Sequence, residues 1–271
     1  MRAVSFRVSL LFVVSLTNAA RTSRLTNALC FLTTWPDSET IDVALDLAKS
    51  ASFIDVYIVV DYNGTRPLPL LPSTAVEFLT FNDTVCTQSG FYKSNQLKSK
   101  QGCLAWDKAL YFVTNVARHY SFVWFVESDV FIPSAQGIIS LHELYAPSHD
   151  LVTAESTYNF DGHMGGWPHW RLAPDTLPLP WAKSMVCAMG CSRRLLTVVE
   201  EYARCHGHIV YIELIFHTLA LQHPEMKVVT PAEMSTIVYR TNYKWENVTA
   251  RPFNVWHPVK DMKKQATWRR K

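Results

Sequence analysis

Two acidic side chains follow the most apolar short run of the chain. The tripeptide Glu127-Ser128-Asp129 comes directly after Phe122-Val123-Trp124-Phe125-Val126. A strand buried on both faces reads as a continuous apolar run, and open α/β sheets bind ligands at the carboxyl ends of their strands. Carboxylate oxygens at such a place bind Mg²⁺ or Mn²⁺ and leave positions on the ion for diphosphate oxygens. The pattern therefore predicts a metal-held phosphate at a strand end.

Alternating strand and helix patterns precede this motif. Apolar runs predict strands over 28–34, 55–61 and 76–81, and Pro36-Asp37-Ser38 begins an amphipathic helix through Lys49. Apolar residues at helical spacing predict a second helix over 104–120, leading into the motif strand. Strands that alternate with helices favour a mostly parallel sheet with helices on its faces. The predicted class is α/β, in a single Rossmann-type domain.

The second half of the chain continues the alternation around one irregular stretch. The patterns predict helices over 135–145, 192–204 and 212–221, and strands over 150–154 and 184–189. Between them, residues 155–181 are rich in Gly, Trp and Pro and predict a long loop. Long loops in compact domains commonly bind ligands or act as lids.

The composition describes a globular protein and argues against nucleic acid as a partner. The 271 residues are 48% hydrophobic and 18% charged, with a formal net charge of only +3. Basic residues gather at 263–271, which we interpret as a solvated C-terminal tail or, alternatively, as a segment that attracts phosphate.

The N-terminus has the pattern of a secretory leader. Basic Arg2 and Arg7 precede an apolar stretch and the small residues Ala19 and Ala20. We predict a signal peptide over 1–19 and a catalytic domain over 20–262. An uncleaved short signal anchor is the alternative, and the chain would contact a membrane only in that case. The apolar stretch is shorter than the roughly 20 residues of a spanning helix.

Sequons and cysteines favour the same compartment. Asn63, Asn82 and Asn247 each begin an N-x-S/T sequon in a stretch predicted to be a loop, as expected of a glycoprotein. The six cysteines predict either disulfides of unknown connectivity or buried thiols. We therefore expect the lumen of the secretory pathway (Golgi or ER) or secretion.

Together these residues resemble the GT-A glycosyltransferases, which use nucleotide-sugar donors and a short acidic D-x-D-type motif. The resemblance covers most of the mature chain and rests on five short segments: 29–34, 59–61, 106–109, 127–129 and His257. It implies a GT-A-like fold and a Mn²⁺ or Mg²⁺ cofactor. The motif here is E-x-D, a variant of the family pattern.

The resemblance assigns roles around the metal. It makes Asp129 the metal ligand and Glu127 a neighbouring or nucleotide contact. His257, in His-Pro-Val-Lys, resembles the distal histidine that completes the metal site, and Lys260 would then meet the diphosphate. The alternative for His257 is a surface histidine before a turn proline.

Two further positions are candidates for the nucleotide. Asp61 follows a strand, and its family counterpart contacts the base or ribose; alternatively it caps the turn that begins there. Lys108, or its neighbour Asp107, would reach the nucleotide from the helix before the motif; alternatively both are solvated helix charges.

An inverting transfer needs a carboxylate that takes the acceptor proton. Glu213, at the start of the 212–221 helix, is our candidate, because many inverting family members carry an acidic base on an acceptor-side helix. A plain first-turn glutamate is the alternative. Asp161 and Asp175 are weaker candidates.

Aromatic residues of the long loop are candidates for the acceptor. Trp167, His169 and Trp170, with Trp181, present flat apolar faces that suit the C–H side of a sugar ring. A loop folded onto its own aromatics is the alternative.

The sequence thus predicts a metal-dependent hexosyltransferase of the secretory pathway. It would move a sugar from a nucleotide-diphosphate donor to a glycan, glycoprotein or small-molecule acceptor. A secreted carbohydrate-binding module or inactive pseudo-glycosyltransferase is the alternative, since the motif departs from D-x-D. A metal-dependent hydrolase or nucleotidyltransferase would need further acidic residues around a second ion.

Overall fold

The computed structural model describes residues 26–61, 67–95, 102–173 and 177–271. Within them, seven strands form one sheet in the order β3-β2-β1-β4-β6-β5-β7. Their bounds are β1 Asn27–Thr33, β2 Ile54–Val60, β3 Val76–Leu79, β4 Phe122–Glu127, β5 Leu151–Asn159, β6 Trp181–Ser192 and β7 Val228–Val229. Only β6 runs antiparallel to its neighbours. The predicted α/β class with a mostly parallel, Rossmann-type sheet is confirmed.

Helices cover both faces of this sheet. They are α1 Ser38–Ser50, α2 Asp83–Gln88, α3 Ala105–Tyr111, α4 Ala135–Tyr145, α5 Arg193–His206, α6 Ile212–Leu221, α7 Trp245–Ala250 and α8 Met262–Arg269. Helices α1 and α4 bury one apolar cluster against the sheet, and α3, α5 and α6 bury the other. Alternate strand residues point into opposite clusters: Leu29 and Phe31 into the first, Cys30 and Leu32 into the second.

Local sequence signals determine several of these elements. Helix α1 begins where the Asp37 side chain accepts a hydrogen bond from the Thr40 amide at 2.7 Å. Helix α5 begins in the same way at Ser192, whose hydroxyl accepts from the Leu195 amide. Helices α4 and α6 have the predicted bounds.

The helix before the motif ends earlier than predicted. After α3 the chain continues as one π-helical turn, Phe112–Val116, and leaves the helix at Ala117 instead of at Tyr120. The guanidinium of Arg193 donates hydrogen bonds to the carbonyls of Val113, Ala117 and Tyr120. Those carbonyls therefore find partners without further helical turns.

The irregular stretch predicted over 155–181 is shorter than expected. Strand β5 continues to Asn159, and β6 already begins at Trp181. The register between β5 and β6 shifts on both sides of Ala154, and Glu155 adopts φ +43° at this irregularity. The pairing partner lies about 25 residues away in sequence, so the local pattern did not reveal the strand.

The basic C-terminal segment is a helix and not a solvated tail. Trp268 of α8 packs in a third apolar cluster with Phe131, Val248, Trp256 and Val259. The Arg269 guanidinium pairs with the Glu39 carboxylate of α1 at 2.6 Å. These contacts fix α8 onto the domain, although Arg270 and Lys271 remain exposed.

The structure describes two of the three sequons and all six cysteines. Asn82 is exposed and caps α2, whereas exposed Asn247 lies within α7 and not in a loop. All six cysteines lie within the described residues and none forms a disulfide; five are buried thiols. The leader over 1–19, Asn63 and Asp175 lie outside the described residues. In the part of the chain that the structure describes, no helix has the length and apolarity to cross a membrane.

Candidate functional site

The carboxyl ends of three neighbouring strands meet at one edge of the sheet. Leu32 of β1 pairs with Glu127 of β4, and Thr33 of β1 pairs with Val60 of β2. The Asp61 amide donates to the Thr33 carbonyl at 2.9 Å. The strand order changes direction between β1 and β4, and open α/β sheets bind ligands at such a switch point. The topology thus brings the predicted residues Asp61 and Glu127 to a single edge.

Glu127 is held in place by a buried tryptophan. The Trp106 indole Nε1 on α3 donates a 2.7 Å hydrogen bond to Glu127 Oε1. Burial raises the pKa of Glu127, and the nearby Asp129 charge acts in the same direction, against the Trp106 hydrogen bond. The carboxylate is thus oriented and receptive to a cation, which would compensate its burial.

Asp129 and His257 come together although 128 positions separate them. His257 Nε2 lies 3.5 Å from Asp129 Oδ1, and His257 Nδ1 lies 2.9 Å from the Val238 carbonyl oxygen. Backbone pairing reinforces the contact, because the Val259 amide donates to the Asp129 carbonyl at 2.8 Å. His257 is buried, so it is not a surface histidine before a turn.

The protonation of His257 reflects its neighbours. Burial lowers its pKa, but the hydrogen bonds and charges of Asp129 and the Val238 carbonyl outweigh burial, so the pKa is raised overall. A divalent cation between Asp129 and His257 would satisfy the carboxylate in place of the proton.

Cys187, which the sequence predicts to be a bridged cysteine or a buried thiol and not a metal ligand, lies in the same cluster. Ligand atoms of Glu127, Cys187 and His257 all lie within 4.8 Å of one another. Cys187 lies on β6, where Val126 of β4 pairs with Ala188, so Glu127 and Cys187 are the next opposed pair. Antiparallel pairing of distant strands left no signal in the local sequence that would have found it.

Lys108 is buried next to Asp61, at the carboxyl end of β2. Its side chain is 1% exposed, and its ammonium lies 3.5 Å from Asp61 and 3.1 Å from Asp83. Lys108 is therefore not a solvated helix charge. Its contacts orient the Asp61 carboxylate, while direct nucleotide binding by Asp61 or Lys108 stays a prediction.

Asp107 has a structural role. It is fully buried, accepts from the Leu104 amide at the start of α3, and binds the amide and hydroxyl of Ser94. Burial raises its pKa to about 6.

Lys260 is exposed and directly follows Val259, whose amide donates a hydrogen bond to the Asp129 carbonyl. This position suits the predicted diphosphate contact.

Glu213 is a half-buried carboxyl group that is influenced by the charge of Glu127. Burial raises its pKa to about 7; the Lys183 charge opposes this shift, and the Glu127 charge adds to it. The Tyr211 hydroxyl lies 3.5 Å from Glu213 Oε1. A first-turn glutamate facing water would not show this shift, so the environment is that of a candidate base.

An open cavity of about 680 Å³ lies along the long loop, and one of its lining residues, Lys183, acts electrostatically on Glu213. Its lining comes from the end of β5, the loop and β6: Thr157, Tyr158, Asn159, Phe160, Asp161, His163, Gly165, Gly166, Trp167, Trp170 and Lys183. Lys183 Nζ lies over the Trp167 ring at 5.6 Å and pairs with Glu155 at 2.7 Å. Lys183 links the cavity to Glu213 electrostatically and was not predicted.

The aromatic residues predicted to bind the acceptor differ in their burial and in the rings they contact. The Trp167 and His169 rings both pack near Tyr211, at 5.9 and 4.7 Å between centroids. Trp170 is buried and packs between Trp167 and Trp181, so most of its surface supports the loop. Asp161 lines the cavity, as a weaker candidate base.

The sequence matches no protein-family profile and has no significant match among curated proteins. Solved structures that are similar to this chain include the following three. Mouse xyloside xylosyltransferase 1 has 11% identity and a TM-score of 0.42, covering 87% of this chain and 98% of its own. An active-site mutant of LgtC has 9% identity and a TM-score of 0.45, covering 89% and 94%.

The third is 4-diphosphocytidyl-2C-methyl-D-erythritol synthase from Anaerococcus prevotii, with 11% identity and a TM-score of 0.38, covering 83% and 93%. Similarity at this level assigns neither residue roles nor an activity to this chain. The function has to follow from the site itself.

Proposed function

We propose that this protein is a metal-dependent glycosyltransferase that transfers a sugar from a nucleotide-diphosphate donor to a glycan, glycoprotein or small-molecule acceptor. The observation that carries the proposal is the meeting of Glu127, Asp129 and His257 at the switch point of the sheet. Lone acidic motifs are common, but this one has a distant histidine brought to it by two backbone pairings.

The donor set fits a divalent ion. Asp129 and His257, with Glu127, would hold it, and the two half-buried carboxylates have a charge that a cation would neutralise. When bound, such an ion stabilises the negative charge that develops on the departing diphosphate. Asp61 would bind the nucleoside, and exposed Lys260 would add a second positive charge near the phosphates.

The cavity along the long loop is the proposed acceptor site, because its lining residue Lys183 also acts on Glu213. Trp167 offers a flat apolar face, and Lys183 and Asp161 offer polar contacts for hydroxyl groups. In an inverting transfer the acceptor oxygen bonds to the sugar carbon as the bond to the diphosphate breaks. The Glu213 carboxylate would take the proton from that oxygen.

Donor turnover tests the proposal. Wild-type protein is incubated with a panel of nucleotide sugars and Mn²⁺ or Mg²⁺, and the released nucleoside diphosphate is measured. Charge stabilisation by a metal is worth several kcal/mol, so Asp129→Asn and His257→Ala should reduce turnover by about 100-fold or more. Asp46→Asn, on the exposed side of α1, is the matched control.

Two outcomes contradict the proposal. Unchanged turnover in folded Asp129→Asn removes the metal role from that residue. Binding of nucleoside diphosphates without turnover of any donor favours the binding module or inactive enzyme.

We also infer that the protein acts in the lumen of the secretory pathway or outside the cell. The support is the leader-like N-terminus and the exposure of Asn82 and Asn247, which leaves both amides accessible to a glycan. Removal of N-linked glycans should lower the mass of the protein expressed in animal cells. An unchanged mass would contradict the inference.

A further inference from the structure

Cys187 packs in the apolar core on one face of the sheet, and it also lies next to Glu127 and His257. It is 7% exposed, faces Glu127 across the β4–β6 ladder, and its thiol is hydrogen-bonded to that carboxylate. It lies in the part of β6 where the pairing with β5 loses its register, between Met185 and Gly190. Such irregularities redirect side chains, and they often occur next to functional sites.

The spacing of the cluster suits a single ion. One ligand atom each from Glu127, Cys187 and His257 lies within 4.8 Å of the other two. Bonds of about 2.0–2.3 Å to one Zn²⁺ place its ligands within roughly 4 Å of one another, so small side-chain rotations are sufficient. Asp129, 3.5 Å from His257, is within reach as a fourth ligand.

We propose that Cys187 is a ligand of the divalent ion, and that its sulfur makes this site select a thiophilic cation such as Zn²⁺ over Mg²⁺ and Mn²⁺. The inference rests on the metal site of the proposed function and adds a residue and a metal preference to it. Oxygen ligands suit Mg²⁺ and Mn²⁺, whereas Cys, His and carboxylate together are a set that Zn²⁺ commonly takes.

Binding to sulfur requires the loss of one proton. A cysteine that binds no metal keeps its thiol proton at neutral pH unless its environment lowers its pKa. Binding of an ion by the sulfur would break the S–H bond, and the thiol proton would be released to solvent. Each ion taken up through Cys187 therefore releases one proton from this thiol.

X-ray absorption at the zinc edge tests the ligand directly. All samples carry Cys205→Ser, because Cys205 is the one exposed thiol among the described cysteines and would bind zinc nonspecifically. With one equivalent of Zn²⁺ we expect one sulfur at about 2.3 Å together with nitrogen and oxygen at about 2.0–2.1 Å. A shell of only nitrogen and oxygen would overturn the proposal.

Variants test the metal preference. Affinities for Zn²⁺ and Mn²⁺ are measured for the Cys205→Ser protein, for Cys187→Ala and for Cys191→Ala, a buried cysteine of the same strand outside the cluster. Sites of nitrogen and oxygen already bind Zn²⁺ more tightly than Mn²⁺, so the decisive quantity is the ratio of the two affinities. We expect Cys187→Ala to reduce this ratio at least about tenfold, and Cys191→Ala to leave it unchanged.

The ratios of the two metal affinities decide whether Cys187 is a ligand. An equal ratio in Cys187→Ala and Cys191→Ala refutes the ligand role. If Cys187→Ala does not fold, the absorption spectrum decides. The proposed glycosyl transfer is judged separately, because donor turnover with Mn²⁺ through Asp129 and His257 can hold without sulfur ligation, and sulfur ligation can hold without turnover.

Discussion

Glu213 combines partial burial, a raised pKa and an electrostatic link to Lys183, which lines the open cavity. Its pKa of about 7 results from burial and the Glu127 charge, against the opposing charge of Lys183. A general base is most effective when its pKa lies near the working pH. Glu213 is therefore suited to accept a proton from an acceptor hydroxyl under neutral conditions.

We expect Glu213→Gln to lower the rate of sugar transfer by about 10²–10⁴-fold, the usual contribution of a general base. A base acts in its deprotonated form, so wild-type activity should rise as the pH increases through about 7 and level off above it. The glutamine variant should lose that rise. The measurement is kcat/KM against pH with a fixed donor.

Glu246→Gln is the control for this prediction. Glu246 also lies in the first turn of a helix, α7, but it is exposed and away from the cavity. A rate and pH profile in Glu213→Gln equal to those of the control would mean that the transfer does not use this carboxylate, as a retaining reaction would not.

The sequence was sufficient for the residues whose signals are local. Glu127 and Asp129 follow an apolar strand, and Glu213 begins a clear helix. Cys187 and Lys183 gave no such signal, because their importance comes from pairing of β6 with β4 and β5 across the sheet. The burial of Lys108 between Asp61 and Asp83 also depends on contacts between separate elements.

At the level of elements, helix α8 holds the C-terminus against helix α1 and Phe131. The Arg269 guanidinium is 19% exposed and pairs with the nearly buried Glu39 of α1. It also lies 5.5 Å from the centre of the Phe131 ring. Removal of one partner leaves the other charge buried without compensation, which is more costly than loss of a surface pair.

We expect Arg269→Ala to lower the free energy of unfolding by about 3 kcal/mol. Arg270→Ala, an exposed arginine on the same helix, should change it by less than about 0.5 kcal/mol. Urea denaturation of the two variants and wild type measures both values. Equal stability of the two variants would show that the Arg269–Glu39 pair does not hold α8 in place.

The elements also show where sequence reasoning fails. Helices α1 and α4 begin at capping side chains, Asp37 and Ser134, and α6 is marked by its apolar sequence. The end of α3 and the length of β5 have no such local signal, because the first depends on carbonyl contacts from Arg193 and the second on a partner strand. The sequence predicts a tail in place of α8, because basic residues dominate this segment and do not indicate that Gln265 and Trp268 are buried.

At the scale of the whole molecule, ligand binding should be visible as stability. A ligand at 100 times its dissociation constant stabilises the folded protein by about 2.7 kcal/mol. For a chain of this size that corresponds to a rise in Tm of about 5–10 °C. We expect this rise when Mn²⁺ and a matching nucleoside diphosphate are added together, and a smaller one with either alone.

His257→Ala should lose most of this combined shift, while exposed His206→Ala should keep it. Differential scanning fluorimetry with uridine, guanosine and cytidine diphosphates measures the shifts and identifies the preferred base. A full rise in Tm in His257→Ala would mean that the nucleoside diphosphate and Mn²⁺ bind without this histidine. No shift with any diphosphate would argue against the donor class.

The side chain of Gln265 adds a further link between two segments that also meet through backbone pairing and the Asp129–His257 contact. Its amide nitrogen donates to the Ser128 carbonyl at 3.2 Å and to the Val259 carbonyl at 2.8 Å. Trimming the last ten residues would therefore loosen the acidic tripeptide from a distance, and an assay would record that damage as lost activity. A purification tag placed after Lys271 needs a spacer for the same reason.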